Sequence, residues 1–141
     1  DWSSDVCSSD LPRGSFGKFD IYGDQRYEFA KLFHSLQGKY DYIIKDCFEV
    51  ACSEEVNSIA FQIKEQERDF DLFELFLDVF KDEIGDNQGK IELIEALLFL
   101  SMIPLHNENR EHQLVMLATG LQLLDRNMDI RCLTDEEKDN V

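Results

Sequence analysis

Two acidic turns carry the residues whose types and spacing could bind a cation. In the turn nearer the C-terminus, Asp125, Asn127 and Asp129 alternate with other residues, and Glu136 follows on the same segment. Ca²⁺ takes about seven oxygen ligands at ~2.3–2.6 Å, and a loop of about 12 residues supplies them from side chains and one backbone carbonyl. The carbonyl of Arg131 stands where that backbone ligand is needed. The spacing therefore makes residues 125–136 a candidate cation-binding turn.

The turn nearer the middle of the chain carries a second, less complete set of ligands. The candidates there are the side chains of Asp86, Gln88, Glu92 and Glu95 and the backbone carbonyl of Lys90. Gly89 suits the sharp bend of such a loop, but Ile84 occupies the first ligand position and cannot bind a cation. Asp82 could replace it only in a longer loop. We expect this turn to bind Ca²⁺ very weakly or not at all, and an ordinary helix–turn–helix is an equal alternative.

Three helices must position these turns. The first begins at Asp71, a good N-cap, and ends at the polar turn 85–89. The second runs from about Glu92 to Ile103 and is apolar on nearly every side, so we expect it at the centre of the core. The third begins at Asn107, which can cap it, and reaches residue 124. Its predicted inner face carries Leu114, Leu117, Leu121 and Leu124.

Helix, acidic loop and helix, repeated after about 40 residues, resemble a degenerate pair of EF-hands of the calmodulin-like superfamily over residues 71–141. The resemblance implies an all-α fold, Ca²⁺ as the cofactor, and an apolar groove that binds a basic or amphipathic partner helix. Ile130 departs from the pattern because it replaces the loop glycine. The resulting backbone strain costs ~1–3 kcal/mol, or roughly one to two decades of affinity. One extra loop residue would instead make Glu137 the last ligand.

The region 14–70 is predicted to be helical as well. Apolar residues recur at helical spacing over 25–37, and a second candidate helix covers 41–52. Ser53 can cap a third helix that reaches residue 63. This last segment is ambiguous, because Ile59, Phe61 and Ile63 also alternate as they would in a strand. The charged residues 64–68 favour the helix, so the predicted fold class is all-α.

Composition limits the possible partners and the possible compartment. The chain has 141 residues, with 30 acids, 14 bases and a formal net charge of −16, which argues against nucleic acids and anionic lipids. No apolar run approaches the ~20 residues of a membrane span. Residues 1–11 match a translated sequencing adapter at every position. We therefore treat residues 1–13 as a non-native segment, made of the adapter and its junction with the native chain. We expect the native start to be missing. The remaining cysteines, Cys47, Cys52 and Cys132, suggest reduced thiols in the cytoplasm.

Two function classes remain after the motifs of enzymes are considered. The sequence has no Gly-rich phosphate loop, no H-E-x-x-H and no G-x-S-x-G, so we predict no enzyme and no catalytic residues. His34 is expected to be a packed histidine, and His106 and His112 are expected to be solvated in a linker. The first hypothesis is an EF-hand-like, calcium-binding or calcium-regulated adaptor that binds a basic amphipathic helix. The alternative is a calcium-independent, all-α interaction or structural module with vestigial loops.

Overall fold

A computed structural model describes residues 24–68 and 70–128. Two helices come first, α1 at Gln25–Leu36 and α2 at Tyr40–Ile44, followed by a hairpin of β1 at Phe48–Ser53 and β2 at Ser58–Ile63. The second half contains α3 at Leu72–Val79, α4 at Lys81–Ile84, α5 at Gln88–Met102 and α6 at Arg110–Asn127. Short 3₁₀ turns, Gly85–Asn87 and Ile103–His106, precede and follow α5.

Polar side chains set the starts of the longer helices. Asp24 accepts a hydrogen bond from the backbone N–H of Arg26 at the start of α1. Asp71 accepts from the N–H groups of the second and third residues of α3, which confirms the predicted cap. The cap of α6 is Asn109, which accepts from the N–H of His112, so the prediction of Asn107 is wrong. Residues 103–106 instead form a 3₁₀ turn before that helix.

The prediction of an all-α fold is wrong, because the fold is mostly helical but contains an antiparallel hairpin. Phe48 pairs with Ile63 at its open end, and Ser53 pairs with Ser58 beside the turn. The predicted helix over 41–52 ends early, at Ile44, where Asp46 with φ 59° redirects the chain. The predicted third helix is strand β2.

The alternation of residues 59, 61 and 63 is the physical reason for the hairpin. In β2, Ile59, Phe61 and Ile63 are half-buried and their neighbours are exposed, which is the period of a strand with one covered face. A helix would have separated these side chains around its axis. The charged residues 64–68 lead out of the strand, and the first bond of this exit is from Lys64 N to Cys47 O at 2.8 Å.

The core consists of two apolar clusters, and α5 contributes to both. Phe99 and Ala96 of α5 pack with Ile43, Phe48 and residues of α6 in the first cluster. In the second, Ile91 of α5 packs with Phe29 and Phe33 of α1 and with Ile84. The predicted central position of this helix is therefore confirmed. Both clusters join side chains from before and after residue 70.

Helices α5 and α6 run antiparallel and approach each other closely. A Cβ atom at Gly120 would stand 2.9 Å from Leu100 Cδ2, and Gln113 Nε2 donates to Ile103 O at 2.9 Å. The buried face of α6 is not the predicted leucine face. The residues of α6 that are buried are His112, Val115, Met116, Ala118, Thr119, Gly120 and Leu123. Leu121 is 50% exposed, while Leu124 contributes only at the edge of the core.

Candidate functional site

The structure brings together side chains from both predicted ligand sets. Glu92 Oε2 accepts from Asn127 Nδ2 at 2.7 Å, and Glu92 Oε1 accepts from Gln88 Nε2 at 3.4 Å. Two further groups that the sequence did not suggest complete this arrangement. Gln37 Nε2 donates to Glu92 Oε1 at 3.1 Å, and Arg126 Nη2 lies 3.2 Å from Glu92 Oε2. Glu92 is thus the centre of a buried polar cluster.

Helix α5 determines which of the predicted ligands meet. Gln88, Glu92 and Glu95 lie at spacings of four and three residues, so they share one side of the helix. Lys90 lies inside the same helix, where its carbonyl belongs to the helical hydrogen-bond ladder. The sharp bend is made by Gly85, with φ 51°, rather than by Gly89. Asp86 lies on the 3₁₀ turn and is exposed, away from the cluster.

The second ligand set is described only at its start. Asp125 and Asn127 both lie in the last turn of α6, and Asp125 is exposed. Asp129, Arg131 and Glu136 lie outside the described residues.

Glu92 is a paired, ionised carboxylate. Burial raises the pKa of Glu92, but the donors on Asn127 and Gln37, the Arg126 guanidinium and Gln88 together lower it below its usual value. A buried carboxylate that accepts several hydrogen bonds keeps its charge because those bonds favour the ionised form. The cluster therefore fastens the C-terminal ends of α1 and α6 to the first turns of α5.

Glu95 lies in a different environment, although it is one turn further along the same helix. Its side chain is 0% exposed, and neither of its carboxyl oxygens has a hydrogen-bond partner. Burial and the negative charge of Glu92 raise the pKa of Glu95 to about 8, with Arg126 opposing. At neutral pH the side chain is therefore mostly an uncharged acid.

Gly38 makes room for this carboxyl group. A Cβ atom there would stand 2.3 Å from the ring of Phe99 and 2.8 Å from Glu95 Oε1. Gly38 follows α1 directly and is buried, so the absence of a side chain lets the end of α1 rest on α5. No local sequence signal indicates the contact between Gln37 and Glu92, because it spans 55 positions.

The donor set around Glu92 does not fit a Ca²⁺ ion. Calcium needs several free oxygen atoms, whereas both oxygens of Glu92 accept from N–H donors, one of them cationic. Within residues 24–68 and 70–128, no group of three or more His, Cys, Asp or Glu side chains could hold a metal ion. Calcium binding by this chain therefore stays a prediction.

The three histidines form a second buried group. The ring of His34 stacks on Phe99 and Tyr40, with centroids 4.1 and 4.5 Å away, and Tyr40 Oη lies 3.5 Å from His106 Nε2. His112 Nε2 lies 2.6 Å from Asp46 Oδ1. A packed His34 is therefore confirmed, and burial, helped by His106, lowers its pKa to about 4.

The prediction that His106 and His112 are solvated is wrong. Both are buried, because His112 is on the inner face of α6 and the ring of His106 packs edge-on against it at 6.0 Å. Burial also lowers the pKa of His106, with the charge of Glu108 opposing.

Helix α3 presents an unusual outer surface. No residue of this apolar helix is fully buried. Its inner side packs edge-to-face on α1, with the ring centroids of Phe73 and Phe33 5.0 Å apart. On the outer side Leu75 is 51% and Val79 is 62% exposed. Exposed acids flank these two residues in the sequence, namely Asp71, Glu74 and Asp78 at or on α3 and Asp82 and Glu83 on α4. We call Leu72, Leu75, Val79 and these acids the α3 face.

The comparisons with known proteins identify no relative: no family model, no curated protein and no solved structure matches the chain. None of the helices in the described part is long and apolar enough to span a membrane.

Proposed function

We propose that this domain is a protein-interaction module that binds a basic amphipathic helix on the α3 face. The observation that carries the proposal is the exposure of Leu75 and Val79 on an apolar helix whose outer side is bordered by carboxylates. Apolar side chains exposed together and rimmed by charge are typical of surfaces that bind other proteins. In the binding mode that we propose, the apolar side chains of the partner's amphipathic helix contact the apolar side chains of the α3 face.

The negative charge around the α3 face determines that the partner should carry positive charge. Between residues 70 and 87 the sequence has six acids, and Lys81 is the one basic residue. Glu74 and Asp78 stand next to Leu75 and Val79 in the sequence, so lysines or arginines beside the partner's apolar stripe would meet them. Such rim charges contribute little affinity, but they raise the association rate and select against acidic partners.

A cleft beside the N-terminus of α3 offers a place for an anchoring side chain. The cleft has a volume of about 380 Å³, and Leu36, Tyr42, Phe70 and Leu72 contribute its apolar lining. The ion pair of Lys39 with Glu65, at 3.2 Å, lies at the same cleft. Fully burying one Leu or Val side chain stabilises a complex by ~1.5–3 kcal/mol before the costs of association.

The test uses a synthetic helical peptide with leucines on one side and lysines on the other. Its affinity for the full chain is measured by fluorescence anisotropy at about 0.15 M NaCl, with either EDTA or calcium present. We expect Leu75→Ser with Val79→Ser to weaken binding at least ~10-fold, because ~1.4 kcal/mol is tenfold. Val56→Ser, which removes an even more exposed apolar residue from the hairpin turn, should leave the affinity unchanged.

Charge reversal separates the rim from the apolar contact. Glu74→Lys with Asp78→Lys should slow association, and this effect should shrink at higher salt. The matched control reverses Glu54 and Glu55, which are exposed in the hairpin turn. Equal effects of both pairs, or equal affinities of the Leu75/Val79 and Val56 variants, would refute the proposal. A requirement for calcium would favour the EF-hand-like adaptor instead.

A further inference from the structure

A second surface of the molecule lacks charge. From residue 93 to residue 105 the only charged side chain is Glu95, which is buried, and from 113 to 124 there is none. In a chain with 31% charged residues and a net charge of −16, two such stretches on neighbouring helices stand out. Depletion of charge is the compositional mark of the centre of a protein–protein interface.

The exposed leucines of these two stretches lie side by side. Gly89 approaches Asn127, Ala96 and Leu100 approach Gly120, and Ile103 bonds to Gln113, so α5 and α6 stay in one antiparallel register. In that register three leucines of α5 lie beside three leucines of α6, one pair after another along the helix axes. The pairs are Leu93 with Leu124, Leu97 with Leu121, and Leu100 with Leu117. We call these six residues the leucine face.

The middle pair is the most exposed part of this face. Leu97 is 60% and Leu121 is 50% exposed, and the other four leucines are half-buried. The two helices approach closely at Gly120, where the side chain of Leu100 already occupies the space between them. The face is therefore a shallow apolar surface with its most exposed side chains at the centre.

The spacing along α6 is that of a helix that packs against other helices. Leu114, Leu117, Leu121, Leu124 and Met128 follow one another at intervals of three and four residues. This is the a/d pattern of a coiled-coil seam, in which each side chain inserts between those of a facing helix. The opposite side of α6 is already buried in the domain, so the seam points away from the core.

We propose that the leucine face binds a second copy of this chain, so that two α5–α6 pairs form a four-helix bundle around a two-fold axis. A two-fold interface requires a patch that is complementary to itself, and a stripe of leucines without charge meets that condition. A charged partner finds no counter-charge on this face. The net charges of the two copies repel each other, but at ~0.15 M salt repulsion is screened beyond ~8 Å.

This proposal does not depend on the partner helix proposed for the α3 face. The leucine face lies on α5 and α6, whereas the α3 face lies on a different helix that packs on α1. A dimer formed through α5 and α6 would carry two α3 faces. Binding of two linked partner helices by such a dimer would gain from multivalency.

Sedimentation velocity of the full chain tests the proposal, over about 1–200 µM protein and in reducing buffer because Cys52 is exposed. We expect a reversible monomer–dimer equilibrium that shifts toward dimer as salt rises. Leu121→Glu and Leu97→Glu should each weaken dimerisation at least ~30-fold, because the substitution buries an unpaired carboxylate in an apolar interface. Circular dichroism checks that both variants are folded.

The matched control is Leu75→Glu, at an equally exposed leucine of the α3 face, which should dimerise like the unmodified chain. A chain that stays monomeric at about 200 µM would overturn the proposal, as would a dimer that Leu121→Glu leaves intact. Open-ended growth beyond the dimer would also overturn it, since a two-fold interface closes. The same applies if neutral lipid vesicles bind the monomer through Leu121.

Discussion

Replacing Glu95 by Gln should make the protein more stable in alkaline solution. The substitution keeps the shape of the side chain and removes the group that ionises. In the folded protein the pKa of Glu95 is raised from the ordinary 4.5 to about 8 by burial and by Glu92. Between these values the folded state holds a proton that the unfolded chain has released, so the free energy of unfolding falls as pH rises. The contribution of Glu95 to the free energy of unfolding is therefore complete below pH 4.5, and it is lost as the pH rises to about 8.

The magnitude follows from the two pKa values. They differ by about 3.5, and each pKa unit corresponds to ~1.4 kcal/mol, so Glu95 could lower the stability by up to ~5 kcal/mol across this window. This is a large part of the ~5–15 kcal/mol by which domains are stable. The Gln variant does not lose stability in this way as the pH rises. Its amide is still buried without hydrogen-bond partners, as the carboxyl group of Glu95 is.

Urea unfolding followed by circular dichroism, at pH 5, 7 and 9, measures this difference. We expect the advantage of Glu95→Gln over the unmodified chain to grow by several kcal/mol from pH 5 to pH 9. Glu92→Gln is the control, and it should be destabilising at pH 7, because it removes the charge that Asn127, Gln37 and Arg126 bind. Parallel stability curves for Glu95→Gln and the unmodified chain would refute the reasoning.

Three further predictions concern the same core. Burial lowers the pKa of His34 from 6.5 to about 4, so the free energy of unfolding falls as the pH drops from 6.5 to 4. His34→Phe should remove about 3 kcal/mol of this loss, because phenylalanine does not take up a proton. Urea unfolding that shows the same loss in the variant between these pH values would contradict it. Gly38→Ala should be less stable than the unmodified chain by ~1–3 kcal/mol, because the new methyl group overlaps the ring of Phe99. Thermal unfolding compares the two. Calorimetry with millimolar CaCl₂ should give at most weak heat, and binding tighter than the range of weak sensors would contradict the prediction that both acidic turns bind calcium weakly or not at all.

Parts of the fold follow from local sequence signals, because those parts depend on local physics. Asp71 caps α3, and the nearly all-apolar α5 is central, since capping and amphipathic burial depend on neighbours within a few residues. The alternation of Ile59, Phe61 and Ile63 does not by itself predict the hairpin, because the charged segment after them suits a helix end equally well. Only the packing of Phe61 and Ile63 on the core decides between the two periods.

The candidate sites depend on contacts that no local pattern records. The sequence predicts Glu92 and Asn127 as ligands of separate loops, whereas their hydrogen bond joins two helices. Gln37 contacts Glu92 across 55 positions, and Gly38 matters only because the ring of Phe99 lies against it. The leucines of α6 have the spacing of residues that face a core. Because α6 is apolar on two sides, the sequence does not determine which of the two sides is buried.

The central claim is that the α3 face binds a basic amphipathic helix, and chemical-shift mapping tests it most directly. Amide resonances of the full chain, labelled with nitrogen-15, are followed while the leucine–lysine peptide is added in EDTA. We predict that the largest shifts fall on residues 70–84, with Leu75 and Val79 among them, and that Leu75→Ser with Val79→Ser greatly reduces them at the same peptide concentration. Shifts that instead centre on α5 and α6, or that require calcium, would contradict it.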